Sequence, residues 1–395
     1  MSAAPKLPRN VWVLGFVSLL MDLSSEIYHA LLPVFITATL GLPVSALGAI
    51  DGISEATANF AKLASGRLSD RMRRRKPLIL AGYGLAALSK PLFPIADSDA
   101  ALMGARFTDR IGKGIRGAPR DGMIADETPP EIRGRAFGLR QSLDTVGAML
   151  APLAAIGLMF LLAGDIRMVF WIATVPALLS FLLAWLALRE PRQAQPATSP
   201  ARPKLSFRDL DKPTRRLLGV SFLFALARFS ESFLIVRGLD VGLSPALSPL
   251  TLVLFNLVFV AFAYPAGSLT DRHSPRAILM IGLAVLIAGN LILATSTGLI
   301  GFTIGVALWG AHMALTQGTF ARMIADIAPP HLKATSFGAF YFVAGVGNLL
   351  GSLGAGILWD RDGPSAAFYA SAAAAMLAVT MLSLLPSAKA QLNSR

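Results

Sequence analysis

The sequence contains no cysteine, which excludes disulfides, thiolate metal centres and cysteine nucleophiles. Charge is scarce: 15% of the 395 residues are Asp, Glu, Lys or Arg, against roughly 25% in soluble domains. There is no phosphate-cradling glycine loop, no H-E-x-x-H and no G-x-S-x-G set, so neither an enzyme nor a bound cofactor is expected. A cleavable signal is not expected either. Lys6 and Arg9 precede an apolar run, but it continues beyond Leu32 and carries Asp22 and Glu26. What remains is apolar: 54% of the residues are hydrophobic. The formal charge of +13 would suit a nucleic-acid binder, yet soluble basic domains do not carry this much apolar sequence. Lys and Arg placed on one side of a bilayer explain both facts.

A spanning helix needs about 20 mostly apolar residues. Twelve stretches qualify, centred near Leu20, Ala56, Leu85, Ile111, Met149, Leu178, Phe229, Val258, Ala288, Gly310, Gly347 and Ala375. An internal repeat supports the count. Met123-Ile124-Ala125-Asp126 returns as Met323-Ile324-Ala325-Asp326, each followed by a Pro-Pro pair and later by Phe137-Gly138 or Phe337-Gly338. Gly66-Arg67-Leu68-Ser69-Asp70-Arg71 is echoed by Gly267-Ser268-Leu269-Thr270-Asp271-Arg272. The expected architecture is an all-α membrane protein made of two related six-helix bundles, residues 1–188 and 214–395. A proline-interrupted polar linker, 189–213, joins them. A duplicated half in an apolar chain marks a transporter that rocks two bundles about a central site.

Charge bias sets the expected orientation. With a cytoplasmic N-terminus, the inside loops hold Arg67, Arg71, Arg73, Arg74, Arg75 and Lys76, then Arg133, Arg135 and the basic linker. The opposite loops 39–44 and 95–100 contain no Lys or Arg. Both termini should be cytoplasmic, in a bacterial-type inner or plasma membrane.

These residues resemble the major facilitator superfamily along essentially the whole chain. Its loop signature, G-x-x-x-D-[RK]-x-G-x-[RK]-[RK], is met by Gly66, Asp70, Arg71, Arg75 and Lys76, with Arg73 in place of the second glycine. Gly267, Asp271, Arg272 and Arg276 form a weaker second copy. A helix-4 signature, R-x-x-Q-G, is approximated by Arg110, Lys113 and Gly114. The helix-5 pattern of proton-driven exporters is similar to Gly138, Gly147 and Pro152, with Ala151, Ala155 and Ile156 replacing glycines. The resemblance implies a twelve-span, proton-coupled efflux protein whose helices 1, 4, 7 and 10 line the cavity. It also implies a cytoplasmic gate at Asp70, Arg71 and Gly66 with Arg116 and Arg120, repeated at Asp271 and Arg272. Physically, Gly138, Gly147, Ala151 and Ala155 allow close helix approach, and Pro152 allows a bend.

Ionisable groups at membrane depth are costly and mark function by default. Asp22, Glu26 and His29 share one face of helix 1. Glu231 repeats Glu26, with Arg228 one turn earlier; a structural ion pair is the alternative reading. Arg106, Asp109, Lys113, Arg116 and Arg120 form one stripe on helix 4, with Arg110 beside it. Asp144 is expected to face Lys113 or Arg110, and Arg116 and Arg120 to serve the gate or lipid. Asp51 and Glu55 rank low, near the outer end of helix 2. His312 could titrate near neutral pH or sit hydrogen-bonded in a core. The substrate and proton-coupling candidates are thus Asp22, Glu26, Arg110, Lys113, Asp144, Arg228, Glu231 and His312. They serve a monomeric transporter of a small organic solute, an antiporter coupled to protons. An importer or exchanger of an anionic metabolite is the alternative. A divalent-metal exporter using Asp22, Glu26, His29 and Glu231 is a minor one, since one helix face does not close a metal site.

Overall fold

The computed structural model describes residues 6–72, 74–129, 132–190, 210, 212–327 and 333–384. Most of the expected linker and Arg73 lie outside these residues. So do the side chains of Arg67, Asp70, Arg71, Asp271 and Arg272.

Among the described residues the secondary structure is helical throughout, in the order α1 (Arg9–Val34), α2 (Val44–Met72), α3 (Lys76–Ser89), α4 (Leu92–Ile95), α5 (Asp99–Glu127), α6 (Arg133–Leu161) and α7 (Ile166–Ala187). Then come α8 (Lys212–Ala227), α9 (Ser232–Asp240), α10 (Leu250–Arg272), α11 (Pro275–Thr295), α12 (Leu299–Ile327), α13 (Lys333–Asp362) and α14 (Pro364–Ser383). A π-turn, Phe35–Thr39, prolongs α1. Nine stretches among the described residues are long and apolar enough to cross a membrane. In two of them a span is made of two helices, α3 with α4 and α8 with α9. The long helices outside that set are α2 and α5, which carry most of the buried charge, and α10, whose apolar part ends at Ala263.

Local chemistry sets the ends. Ser98 caps α5 by accepting from the Ala101 N–H at 3.2 Å, and Asp165 caps α7 by accepting from Met168 at 3.0 Å. Pro91 interrupts the helix between α3 and α4, since it has no N–H to donate. The positive-φ glycines fall in two repeat-related pairs: Gly41 with Gly242, and Gly164 with Gly363. Each sits in a turn between consecutive spans, where a side chain would be strained.

The break between α8 and α9 contains Arg228, Phe229, Ser230 and Glu231, with neither proline nor glycine. Phe229, expected at the centre of a span, lies in it. Serine side chains take the backbone groups that the helix would have used. The Ser230 N–H donates to Ser352 Oγ at 3.1 Å, and the Ser232 N–H to Ser230 Oγ at 3.2 Å. With its amide oriented to satisfy both acceptors, Asn348 donates to the carbonyls of Arg228 (3.2 Å) and Ala225 (3.0 Å). Irregular backbone at membrane depth survives only when its polar groups are met in this way.

The chain divides into two compact units, Met1–Ser199 with Ser244–Val253, and Pro200–Leu243 with Leu254–Arg395. In the first, α1 packs on α6 and α7, and α5 on α2 and α3. In the second, α8 packs on α13 and α14, and α11 on α12 and α14. Glycines set the closest crossings. A Cβ on Gly147 would stand 2.5 Å from the Leu19 carbonyl, and one on Gly347 would stand 2.7 Å from Ala225 Cβ. Ala151 and Ala155 are also fully buried in α6. Gly138 does not belong to that seam: nothing lies within 4 Å of where its Cβ would be. It precedes the point where α6 closes on α1.

Candidate functional site

The buried charge is concentrated in the first unit, where α2 and α5 are joined by ion pairs. Arg106 Nη2 lies 3.6 Å from Asp51 Oδ1, and Arg110 Nη1 lies 3.0 Å from Glu55 Oε1. Lys90, fully buried at the end of α3, places its ammonium 2.9 Å from Asp109 Oδ1 and donates to Ser25 Oγ at 3.0 Å. The Tyr28 ring lies beneath that ammonium at 4.9 Å. Tyr28 in turn donates to the Phe170 carbonyl at 2.6 Å, tying α1 to α7. Charges at this depth persist because each has its counter-charge.

Sequence reasoning ranked Asp51 and Glu55 low, as outer-end groups. That is corrected by the pairing, because burying Arg106 and Arg110 requires them. The stripe of α5 is therefore not one continuous cationic surface. Asp109, Arg106 and Arg110 are engaged within the protein, and Arg116 packs on the Tyr83 ring at 4.8 Å. Arg120 donates to Ser18 Oγ at 3.0 Å and pairs with Asp121 at 3.2 Å. Lys113, midway along α5, is the exception: its side chain is exposed. It forms no ion pair among the described residues, though Asp22, Glu26 and Glu55 lie near enough to feel its charge.

Asp144 does not face Lys113 or Arg110. It pairs with Arg140 on its own helix at 3.2 Å, and Asp22 on α1 lies near enough to feel its charge. Glu26 pairs with His29 Nδ1 at 3.1 Å. Arg140 also reaches Asp121 at 3.8 Å, a link to α5 that sequence reasoning missed.

In the second unit the ion pair Arg228–Glu231 (3.1 Å) spans the break between α8 and α9, both side chains about a quarter exposed. His312 is fully buried, edge-on to the rings of Trp309 and Phe224, with no side-chain partner for either nitrogen among the described residues. Among the described residues no three His, Asp or Glu side chains converge as a metal ion would require.

At the end of α5 the two repeated motifs of the first unit meet. Arg75 Nε lies 2.7 Å from Asp126 Oδ2, and the Arg75 guanidinium crosses Gly122, where a Cβ would come within 2.6 Å of it. Glu190 accepts from the N–H groups of Arg75 (2.7 Å) and Lys76 (3.0 Å), closing the start of α3. Asp126 and Glu190 were not singled out from sequence. The repetition of Asp126 as Asp326 was the available signal.

The family model of the Major Facilitator Superfamily matches residues 14–238 and 217–395. An MFS-type transporter of Methanocaldococcus jannaschii, itself uncharacterised, is 30% identical over 387 residues, covering 95% of each chain. The quinolone resistance protein NorA of Staphylococcus aureus is 25% identical over 243 residues, 60% of this chain and 61% of its own. Among solved structures, a variant of the nucleoside transporter NupG superposes with a TM-score of 0.80 at 13% identity, covering 96% of this chain and 100% of that one. A bacterial homologue of the human lysosomal transporter Spinster gives 0.76 at 19% identity, covering 95% and 96%. The structural likenesses speak to the fold. The chain belongs to the Major Facilitator Superfamily: it is an integral membrane protein and a secondary transporter of small solutes, not an enzyme.

Proposed function

We propose that the protein exports a small organic solute in exchange for protons, by alternating access, as a monomer with both termini in the cytoplasm. The supporting observation is that Asp22 of α1 and Asp144 of α6 are neighbouring acids at membrane depth. Two acids held close in a low-dielectric setting favour retaining one proton between them, because losing it leaves like charges together. Such a pair binds and releases a proton as its surroundings alternate. Solute and proton then exchange because each favours a different conformation. Kinship with a protein named for quinolone resistance supports the outward direction. The loop signature and its contact Arg75–Asp126 serve as a latch at the cytoplasmic end.

The test is flux in proteoliposomes under an imposed pH gradient. The wild type should show gradient-driven transport, and Asp22→Asn and Asp144→Asn should each lose the gradient-driven component while keeping downhill exchange. Full gradient dependence in both variants removes these carboxyls as couplers. A second reading, exchange of an anionic metabolite, is favoured by the exposed Lys113, which forms no ion pair among the described residues. Flux confined to anions and indifferent to pH would select it.

A further inference from the structure

Lys113 and Glu55 share a feature that the ion-pair network does not explain: they are exposed at mid-span, with Glu26 half-buried beside them. Glu55 is 51% exposed, Glu26 29% and His29 18%, and Lys113 is exposed. These side chains come from three helices, α1, α2 and α5, and lie well inside each. Charged groups exposed at that depth cannot face lipid, so they line water or a ligand. Glu26 and Glu55 are met by His29 and Arg110, while Lys113 stands close to three carboxylates and beyond 4 Å of each.

An anion placed on Lys113 alone would crowd Asp22, Glu26 and Glu55. A cation placed on those acids alone would be repelled by Lys113 and Arg110. A ligand carrying both charges meets a partner of opposite sign at each end. We infer that this face of the first unit binds a zwitterionic small molecule, its anionic group on Lys113 and its cationic group toward Glu55 and Glu26. The inference deepens the transport reading above and rests on it, since the site is taken to be that of the transported solute.

The experiment is equilibrium binding to the purified full chain in detergent at one fixed pH, with no gradient. Three matched probes are used: norfloxacin (carboxylate and amine), its ethyl ester (amine only) and its N-acetyl form (carboxylate only). Wild type should prefer the zwitterion over both by about tenfold or more. Lys113→Gln should abolish the preference over the ester and leave that over the N-acetyl form. Glu55→Gln should do the reverse, with Glu26→Gln as the second acid variant should the first lose its folded, monodisperse profile. Equal affinity for the three forms, unchanged preferences in the variants, or binding of none overturns the inference. The outcome is separable from coupling. Lost preference with intact pH-driven flux removes only the zwitterion site, and intact preference with pH-indifferent flux removes only the proton exchange.

Discussion

Laid one on the other through the repeat, the two units build the same helix neighbours from opposite chemistry. At an offset of 200 residues, the ion pair Lys90–Asp109 becomes Asn290 and Trp309, whose indole N–H donates to Asn290 Oδ1 at 3.0 Å. Arg106 and Arg110 become Val306 and Gly310, and at an offset of 201 Asp51 and Glu55 become Leu252 and Asn256. Where Arg110 reaches Glu55 in the first unit, Gly310 lets α12 close on α10: a Cβ there would stand 2.6 Å from the Phe255 carbonyl. The fold does not need the charges. Their retention in the first unit is then better explained by ligand and proton chemistry than by packing, because a neutral solution to the same geometry exists in the same chain.

That contrast can be broken most strongly at the buried lysine. Lys90→Met leaves Asp109 with Arg110 alone, at 4.0 Å, and should destabilise the protein by ~3–5 kcal/mol. Lys90→Met with Asp109→Leu should recover much of it. Asn290→Leu, which orphans the neutral indole N–H of Trp309 and removes the donor to Ser371 Oγ, should cost ~1–3 kcal/mol. Thermal unfolding in a fixed detergent checks the order, and equal losses at the two sites would erase the distinction between the units. A smaller effect separates two glycines of one pattern. Gly147→Val should cost ~1–3 kcal/mol by forcing α6 from α1, and should also disturb proton-coupled flux by parting Asp144 from Asp22. Gly138→Ala, with open space around it, should stay within ~0.5 kcal/mol.

The sequence made the duplicated helical architecture readable because apolar length and repetition are local properties of the chain. The four turn glycines in two matched pairs are the same signal seen in the backbone. Partner choice was less readable. Counting depth along single helices put Asp144 level with Lys113, yet its ion-pair partner is Arg140, one turn away on its own helix. The same counting dismissed Asp51 and Glu55, whose worth depends on arginines of another helix. The interrupted seventh span was hidden because serines and Asn348, rather than proline or glycine, sustain it. Glu26 with His29 and Arg228 with Glu231 were legible because each pair lies one turn apart on one segment.

The central claim is that solute and proton compete through the carboxyl pair of the first unit. Proton release on ligand binding tests it directly: norfloxacin is added to the purified protein in weakly buffered detergent, and the pH change is recorded. The account predicts that the wild type releases a proton as ligand binds, whereas Asp22→Asn binds ligand and releases none. Equal release from the two proteins, or binding without release in the wild type, would contradict it.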